Sequence, residues 1–415
     1  ALDAQILKAT LAATFDSGVG EAGSEVVTVA DGKLYSTNGA LGRIDIYDAA
    51  SGEHLNALDL TGIEGFDGVT SVAVANGIVA AAIDSAGGAN GTIALFSVAT
   101  GELLNTLNAG GVLPDMLTFT ADGQKLLVAI EGEPVSAEFD PAGGVSLIDF
   151  SAGVENASVQ FVGFEAFDGQ EDALREQGVR LFPGKAPSVD FEPEYIALSP
   201  DGMQAFVTLQ EANTVAVLDL ASATFTDLLP LGTTDHSLTG NGLDASDRDN
   251  AINIQNWPVF GLRMPDAIAS IEIGGVTYFA TANEGDARDE DVRIKDLTLD
   301  ADAFPNAAAL QTDDQLGRLQ VSGVDGDVDG DGDYDQLFAY GSRSFTLYDA
   351  EGNEVFDSGD QFERILAEIR PERFNHDAGE LEGRSDNKGP EPEAIALGTI
   401  GEDTYAFIGL ERDNG

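Results

Sequence analysis

The sequence predicts an all-β protein, a seven-bladed β-propeller that occupies residues 1–415 as a single domain. One observation is the run of short apolar segments separated by turn residues such as Asp31-Gly32 and Asn76-Gly77, a pattern typical of consecutive antiparallel strands. The other is a repeated unit in which a proline and an acid open one strand and a glutamate follows the next. Its two acids are 16, 17, 18 and 18 residues apart, from Asp115 to Glu131, Glu194 to Glu211, Asp266 to Glu284 and Glu393 to Glu411. Small sheets repeated at a fixed period indicate radial repetition.

The repeated acids predict rings of carboxylates. Equivalent positions of successive propeller blades surround the central channel, so two acids in each of several blades would converge there. Proline followed by Asp or Glu is also ordinary turn chemistry, but a turn leaves the second acid of each unit unexplained.

The blades are expected to begin near Glu25, Val72, Pro114, Pro193, Met264, Leu337 and Pro392. The seventh blade has two strands, and the strand-like residues 6–15 are expected to complete it unless the chain is a fragment of a longer protein. Long insertions are predicted at about 150–190, 232–262, 286–335 and 357–390. Helices are predicted at residues 168–178 and after Asp360, where Glu363 would complete a capping box.

Charge is the dominant feature of the composition. Asp and Glu number 73 against 20 Lys and Arg, which gives a formal net charge of −53 at pH 7. Such a chain repels nucleic acids and anionic membranes, and it gains stability from bound or screening cations. Cysteine is absent, which excludes disulfides and thiolate metal sites. No apolar run reaches the roughly 18 residues of a transmembrane helix, and we expect a secreted, extracellular or cell-surface protein, with the periplasm as an alternative.

The sharpest motif is an acidic loop at residues 325–335. Alternating aspartates with a glycine at the sharp turn match the first nine positions of a calcium-binding loop. The twelfth position is Phe338 instead of a bidentate glutamate, and a strand follows, so we predict a calcium loop between strands. The alternative is a solvated acidic loop. The expected ligands are Asp327, Asp329, Asp331, Asp333 and Asp335.

A second polar loop precedes the only tryptophan. It carries Asp244, Asp247 and Asp249, which are further candidate calcium ligands, and long loops of this kind are often functional. Just before it lies His236, the one histidine that we assign as a candidate acid–base catalyst.

Basic residues are scarce, and several of them lie beside the repeated acids. Arg288 and Arg293 follow Glu284, while Lys388 precedes Glu393. We interpret this as a mixed site in which calcium ions and a few basic side chains bind phosphate oxygens. The alternative is a set of ordinary surface ion pairs.

Several longer motifs together resemble the choice-of-anchor I family, which includes atypical alkaline phosphatases and cell-surface glycoproteins. They lie at residues 114–120, 131–134, 192–196, 236–249, 256–261, 283–288 and 388–393. The resemblance implies an extracellular or surface-attached protein, with phosphatase activity in some members and biomineral association in others. The repeated acids also resemble those of β-propeller and esterase-like phytases, in which calcium ions bind the substrate phosphate.

The predicted function is therefore an extracellular calcium-dependent phosphoesterase, similar to alkaline phosphatases, with its metal site at the mouth of the propeller channel. The alternative is a non-catalytic calcium-binding protein of the cell surface or matrix, or an assembly protein. Residues assigned to the chemistry are His236, Arg288, Arg293 and Lys388. Metal ligands outside the two acidic loops are Glu131, Glu194, Glu211, Glu284, Glu393 and Glu411.

Overall fold

The computed structural model describes residues 10–11, 13–20, 23–136, 138–288 and 290–412. Across these residues the protein is built from seven β-sheets with a few short helices, which confirms the all-β prediction. Two compact units divide the chain. The first comprises the described residues up to Pro141 together with Ser146–Phe161, and the second comprises Ala142–Val145 and the described residues from Val162 onward.

The first unit is built on three four-stranded antiparallel sheets. Their strands are β1 Val27–Ala30, β2 Lys33–Asn38, β3 Arg43–Asp48 and β4 His54–Asp59; β5 Phe66–Ala75, β6 Ile78–Ser85, β7 Thr92–Ser97 and β8 Leu103–Asn108; and β9 Pro114–Phe119, β10 Lys125–Ile130, β11 Gly144–Asp149 and β12 Ser158–Gly163. The first strands of successive sheets lie side by side, β1 against β5 and β5 against β9.

Local sequence explains these hairpins. Asp31 and Gly32 join β1 to β2, and Asn76 and Gly77 join β5 to β6, all four with positive φ. Two-residue turns of this kind match the right-handed twist of the flanking strands, and Asn-Gly and Asp-Gly adopt them at low cost. Central strands such as β6 are buried along most of their length, so apolar residues from both faces supply the core.

The second unit contains four sheets. Three of them are antiparallel: β13 Pro193–Leu198, β14 Gln204–Leu209, β15 Thr214–Asp219 and β16 Thr224–Pro230; β19 Ile268–Ile273, β20 Val276–Ala282, β24 Phe345–Asp349 and β25 Glu354–Asp357; and β26 Pro392–Ile400 with β27 Asp403–Leu410. A five-stranded sheet holds β17 Thr233–Asp235, β18 Phe260–Leu262, β23 Phe338–Tyr340, β22 Gln320–Ser322 and β21 Asp291–Arg293 in that order. The α-helices are α1 Glu171–Gln177, α2 Pro187–Asp190, α3 Ala307–Leu310 and α4 Gln361–Ile369.

The assignment of separate fifth and sixth blades is wrong. Strand β24 pairs with β20, with Phe279 opposite Tyr348, so the predicted halves form one sheet. The first strand assigned to the sixth blade, β23, instead pairs in parallel with β18. Short apolar runs mark strands but not their partners, and this long-range pairing left no signal in the sequence. The count of seven blades is therefore not confirmed, and closure of the sheets into a single propeller domain stays a prediction.

Both predicted helices form, but the capping box does not. Helix α1 ends at Gly178, whose φ of 97° is the left-handed conformation that glycine favours. Before α4, the Asp360 side chain makes no capping bond and accepts from the backbone N–H of Gly242 at 3.2 Å. Glu363 pairs with Arg343. The capping prediction was wrong because tertiary partners outcompete the local backbone for both carboxylates.

Two further expectations concern the chain as a whole. Of the predicted strand at residues 6–15, positions 6–9 and 12 lie outside the described residues, and the others are not in a strand. None of the described helices has the length and apolar character needed to cross a membrane.

Candidate functional site

Three sheets of the second unit place a glutamate just beyond their second strand, as the repeated unit predicts. Glu211 follows β14, Glu284 follows β20 and Glu411 follows β27. Carboxylate oxygens of Glu284, Glu391 and Glu411 lie within 4.8 Å of one another. Gln210, next to Glu211, donates to Glu284 over 3.3 Å. The strand-end acids of this unit therefore meet in one region.

The centre of this region is named here the Glu391 cluster. It consists of four carboxyl groups and three basic side chains: Glu284, Glu391, Glu393, Glu411, Arg384, Lys388 and Arg412. Its carboxyl groups outnumber its cations by one.

Glu391 itself is fully buried and well compensated. Arg384 donates to one of its oxygens, and the Nε of Arg412 lies 2.9 Å from the other. The Nζ of Lys388 is 3.8 Å away. Burial favours protonation, but the nearby Lys388 and Arg384 charges outweigh it and hold the pKa of Glu391 below its ordinary value.

The other acids of the cluster are less well compensated. Glu284 binds Lys388 at 2.7 Å, whereas the one basic partner of Glu411 among the described residues is Arg412, at 3.2 Å. Burial and a hydrogen bond to Glu391 raise the pKa of Glu411 to about 7. Burial and the Glu284 charge also raise the pKa of Glu393. Protonation of Glu411 therefore offsets the excess of one carboxyl group over the basic side chains of the cluster.

A second group, the Arg288 cluster, is defined by Arg288 with Asp190, Glu192 and Glu211. The guanidinium lies 2.8 Å from Asp190, 3.1 Å from Glu192 and 3.9 Å from Glu211. Burial, with repulsion by Glu211, raises the pKa of Glu192 to about 8, and burial raises that of Glu211 to about 6. Among the described residues, the buried Oε2 of Glu211 has no hydrogen-bond partner. The single guanidinium group of Arg288 therefore compensates the charges of the three carboxyl groups only in part.

Arg180 is a site residue that sequence reasoning missed. It is buried between Glu290, at 2.6 Å, and Asp325, at 2.8 Å, and it donates to the backbone oxygen of Glu211. Its carboxylate partners lie 110 and 145 residues further along the chain. The only available signal was its rarity as a base in an acidic chain.

Arg293 and Asp247 belong to a different ion-pair network. Arg293 pairs with Asp386 at 2.6 Å. Asp247 receives two bonds from Arg318, at 2.7 and 3.0 Å, and Arg318 also pairs with Asp386. The structure brings Arg288 and Lys388 to the strand-end acids, whereas Arg293 is engaged elsewhere.

The rest of the second polar loop is held by hydrogen bonds. Asp244 is buried and accepts from the backbone N–H of Asn253 at 2.7 Å, and Asp249 accepts from the Asn253 side chain at 3.0 Å. Burial and the charge of Glu363 raise the pKa of Asp244 to about 7. Arg343 ties the loop to α4 by donating to the Asp244 carbonyl and to Glu363. These contacts give the loop a structural role.

His236 is buried and neutral. Its Nδ1 lies 2.6 Å from the backbone oxygen of Asn241, so Nδ1 carries the proton. Burial lowers its pKa to about 4, and a histidine of that pKa has no second proton to donate near pH 7. The predicted acid–base role of His236 stays a prediction.

The predicted calcium loop gathers its aspartates in two groups. Oxygens of Asp327, Asp329 and Asp335 lie within 4.8 Å of one another, and so do those of Asp300, Asp333 and Asp335. Asp331 accepts from the backbone N–H of Asp333 at 3.1 Å. Asp300 was missed because it comes from another loop, so no local motif contains it.

Two predicted ligands lie in different units, and each has the position relative to its strand that the repeated unit predicts. Glu131 follows β10 in the first unit, and Glu194 lies within β13 in the second. In the first unit, burial also raises the pKa of Asp115 to about 7.

Comparison with known proteins places these features in context. The choice-of-anchor I domain matches residues 24–415. Gigasin-3a of Magallana gigas is 36% identical over 112 residues, which are 25% of this chain and 39% of gigasin-3a. The mesenchyme-specific cell surface glycoprotein of Strongylocentrotus purpuratus is 28% identical over 262 residues, covering 53% of this chain and 33% of the glycoprotein. The chain thus spans less than half the length of either relative. A hydrazine synthase chain of Kuenenia stuttgartiensis is similar with a TM-score of 0.37 and 14% identity, covering 61% of this chain and 65% of that one.

Proposed function

Because the chain belongs to the choice-of-anchor I domain family, we propose that it is an extracellular surface protein that binds calcium and hydrolyses phosphate esters at the Glu391 cluster. One observation carries the proposal. Three carboxylate oxygens, from Glu284, Glu391 and Glu411, lie within 4.8 Å of one another beside basic side chains that can bind phosphate. The similarity to the sea-urchin cell surface glycoprotein supports the location.

The donor set fits calcium. Calcium binds carboxylate oxygens at about 2.3–2.6 Å, so ligand oxygens on one ion are separated by up to about twice that distance. Glu284, Glu391 and Glu411 meet this limit. The pKa of Glu411, which burial and its hydrogen bond to Glu391 raise to about 7, indicates that the surrounding bases do not fully balance the charge of its carboxylate. A calcium ion bound there would polarise a phosphoryl group and stabilise its developing charge.

The basic side chains of the cluster supply anion recognition. Lys388 contacts Glu284 and lies near Glu391, while Arg412 spans Glu391 and Glu411. If bound calcium compensates the charge of these acids, Lys388 and Arg412 can instead bind phosphate oxygens. The raised pKa of Glu393 suits it to take a proton from the attacking water.

Turnover of 4-nitrophenyl phosphate tests this function. We expect activity that is lost in excess EGTA and restored by calcium. Glu284→Gln should lower kcat by about 100-fold or more, in line with removal of a group that positions charge at the reacting centre. Glu402→Gln, in the exposed turn between β26 and β27, is the matched control and should leave activity unchanged. Full turnover in EGTA would contradict the proposal.

A non-catalytic calcium-binding surface protein is the second candidate. The acidic loop at residues 325–335 favours it, because calcium there can order the loop without touching a substrate. The glycoprotein name of one relative is compatible with it as well. If purified protein binds calcium by calorimetry yet turns over no phosphate ester at any pH, this candidate replaces the first.

We infer a β-propeller as the architecture that presents the site. Its support is the adjacency of first strands in successive sheets, which in the second unit places β19 against both β13 and β26. A solution-scattering envelope with a central channel is the expected result. An open arc of sheets would contradict ring closure.

A further inference from the structure

A cavity of about 510 Å³ lies in the second unit, outside both carboxylate clusters. This volume is within the range of roughly 300–1,000 Å³ that is common for small-molecule sites. The segment after α1 forms one wall with Val179, Leu181 and Phe182, and Leu262 and Phe338 contribute from the five-stranded sheet. The body of the cavity is therefore apolar and partly aromatic.

The polar part of the lining is positive on balance. Arg175 and Arg180 line the cavity together with one acid, Asp325. The Arg180 charge is balanced by Asp325 and by Glu290. Among the described residues, Arg175 makes only long contacts, 3.6 Å to the fully exposed Asp172 and 3.5 Å to the carbonyl of Phe182. Such an exposed pair contributes little, so the Arg175 guanidinium is available to a ligand.

This balance is unusual for the chain. Acids outnumber bases by 73 to 20 in the whole sequence, yet two of the three charged side chains that line this cavity are arginines. The negative net charge of the protein repels anions from its surface. A positively charged cavity lining therefore binds an anionic ligand only where apolar contacts add to the electrostatic attraction.

We propose that this cavity is a binding site for an amphipathic anion, a small molecule with an apolar or aromatic body and one carboxylate, sulfonate or phosphate group. Phe182 and Phe338 contact the body, and Arg175 pairs with the anionic group at the mouth. The site is separate from the phosphoesterase proposal, because it uses none of the residues of the Glu391 cluster.

Calorimetry in excess EGTA tests the proposal without calcium at the other clusters. The probe is 2-naphthalenesulfonate, which contains no hydrolysable ester, and its neutral counterpart is 2-naphthalenesulfonamide. We expect the sulfonate to bind about ten-fold more tightly than the sulfonamide, the size of one charge-assisted contact. Equal affinities, or no binding of either probe, would overturn the proposal.

Variants separate the two contributions. Arg175→Gln should reduce the ten-fold preference to about two-fold or less while leaving sulfonamide affinity unchanged. Val324→Trp, at a half-exposed lining position, should block the cavity and weaken both probes by about ten-fold or more. Arg248→Gln removes an exposed arginine outside the cavity and should change neither. Unaltered binding to both test variants would place the ligand elsewhere and refute the assignment.

Discussion

The Glu391 cluster and the acidic loop at residues 325–335 are both rich in carboxylates, yet they balance their charge differently. In the cluster, Lys388, Arg384 and Arg412 surround a buried Glu391. In the loop, Asp325 pairs with Arg180, but from Asp327 onward backbone N–H groups are the donors, such as Gly332 to Asp327 at 3.1 Å and Val328 to Asp335 at 2.8 Å.

The two regions therefore differ in how far the balance of their negative charge depends on an added cation. Among the described residues, no Lys or Arg forms an ion pair with Asp327, Asp329, Asp331, Asp333 or Asp335. Their mutual repulsion is relieved only by an added cation or by solvent. The cluster is preorganised by its own bases, whereas we propose that the order of the loop depends on a bound cation.

The largest expected effect comes from removing the central acid. Glu391→Gln leaves Arg384, Lys388 and Arg412 facing a neutral, buried amide. Breaking a buried ion pair from one side costs about 3–5 kcal/mol, and we expect a loss near the lower bound because the three bases are partly exposed. Urea unfolding in EGTA measures it.

The control for that measurement is Asp331→Asn in the loop, which should change the free energy of unfolding in EGTA by less than about 0.5 kcal/mol, as for other exposed substitutions. Similar losses from both variants would remove the contrast between the two regions.

Calcium should stabilise the folded state through the acidic loop. At a free concentration of 100 times Kd, a bound ion stabilises the folded state by about 2.7 kcal/mol. Asp327→Asn combined with Asp329→Asn should abolish the part of this gain that comes from the loop while leaving the stability in EGTA nearly unchanged. Calcium titrations followed by thermal unfolding, with Glu402→Gln as control, measure the difference. An unaltered calcium response in the double variant would show that the loop is not a binding site.

A smaller effect should appear in the pH dependence of stability. In EGTA, Glu411 has a folded pKa of about 7, raised by burial from an ordinary value of 4.5. Between these values the folded state holds a proton that the unfolded state has lost, so the contribution of Glu411 to stability is greatest below pH 4.5 and declines as pH rises to about 7. Glu192, with a pKa of about 8, extends the decline.

Glu411→Gln should therefore make the profile between pH 4.5 and 7 less steep, by the contribution of a single proton, and should leave the contribution of Glu192 unchanged. Urea midpoints across this range, measured for the wild type and the variant, provide the test. A wild-type profile that rises through the window, or a variant profile with the same slope as the wild type, would contradict the assignment.

Several features of the fold and the site could be predicted because they depend on neighbours in sequence. The Asn76-Gly77 and Asp31-Gly32 turns, the strands they join and the end of α1 at Gly178 all follow from local backbone preferences. The placement of Glu211, Glu284 and Glu411 just beyond second strands follows from the same short-range regularity. The choice-of-anchor I resemblance, drawn from ordered motifs, was confirmed by the match to residues 24–415.

What the sequence by itself determined is where strands begin and end and which acids stand at their ends, because alternation and turn chemistry are properties of adjacent residues. Only the tertiary structure decided that β24 pairs with β20 and that Arg180 contacts Glu290 and Asp325. It also decided that Asp360 and Glu363 form no capping box at the start of α4. Each of these outcomes is a choice among chemically equivalent partners. Such a choice depends on which of them the folded backbone brings within about 4 Å, and charge attraction reaches its full strength only after burial has excluded water.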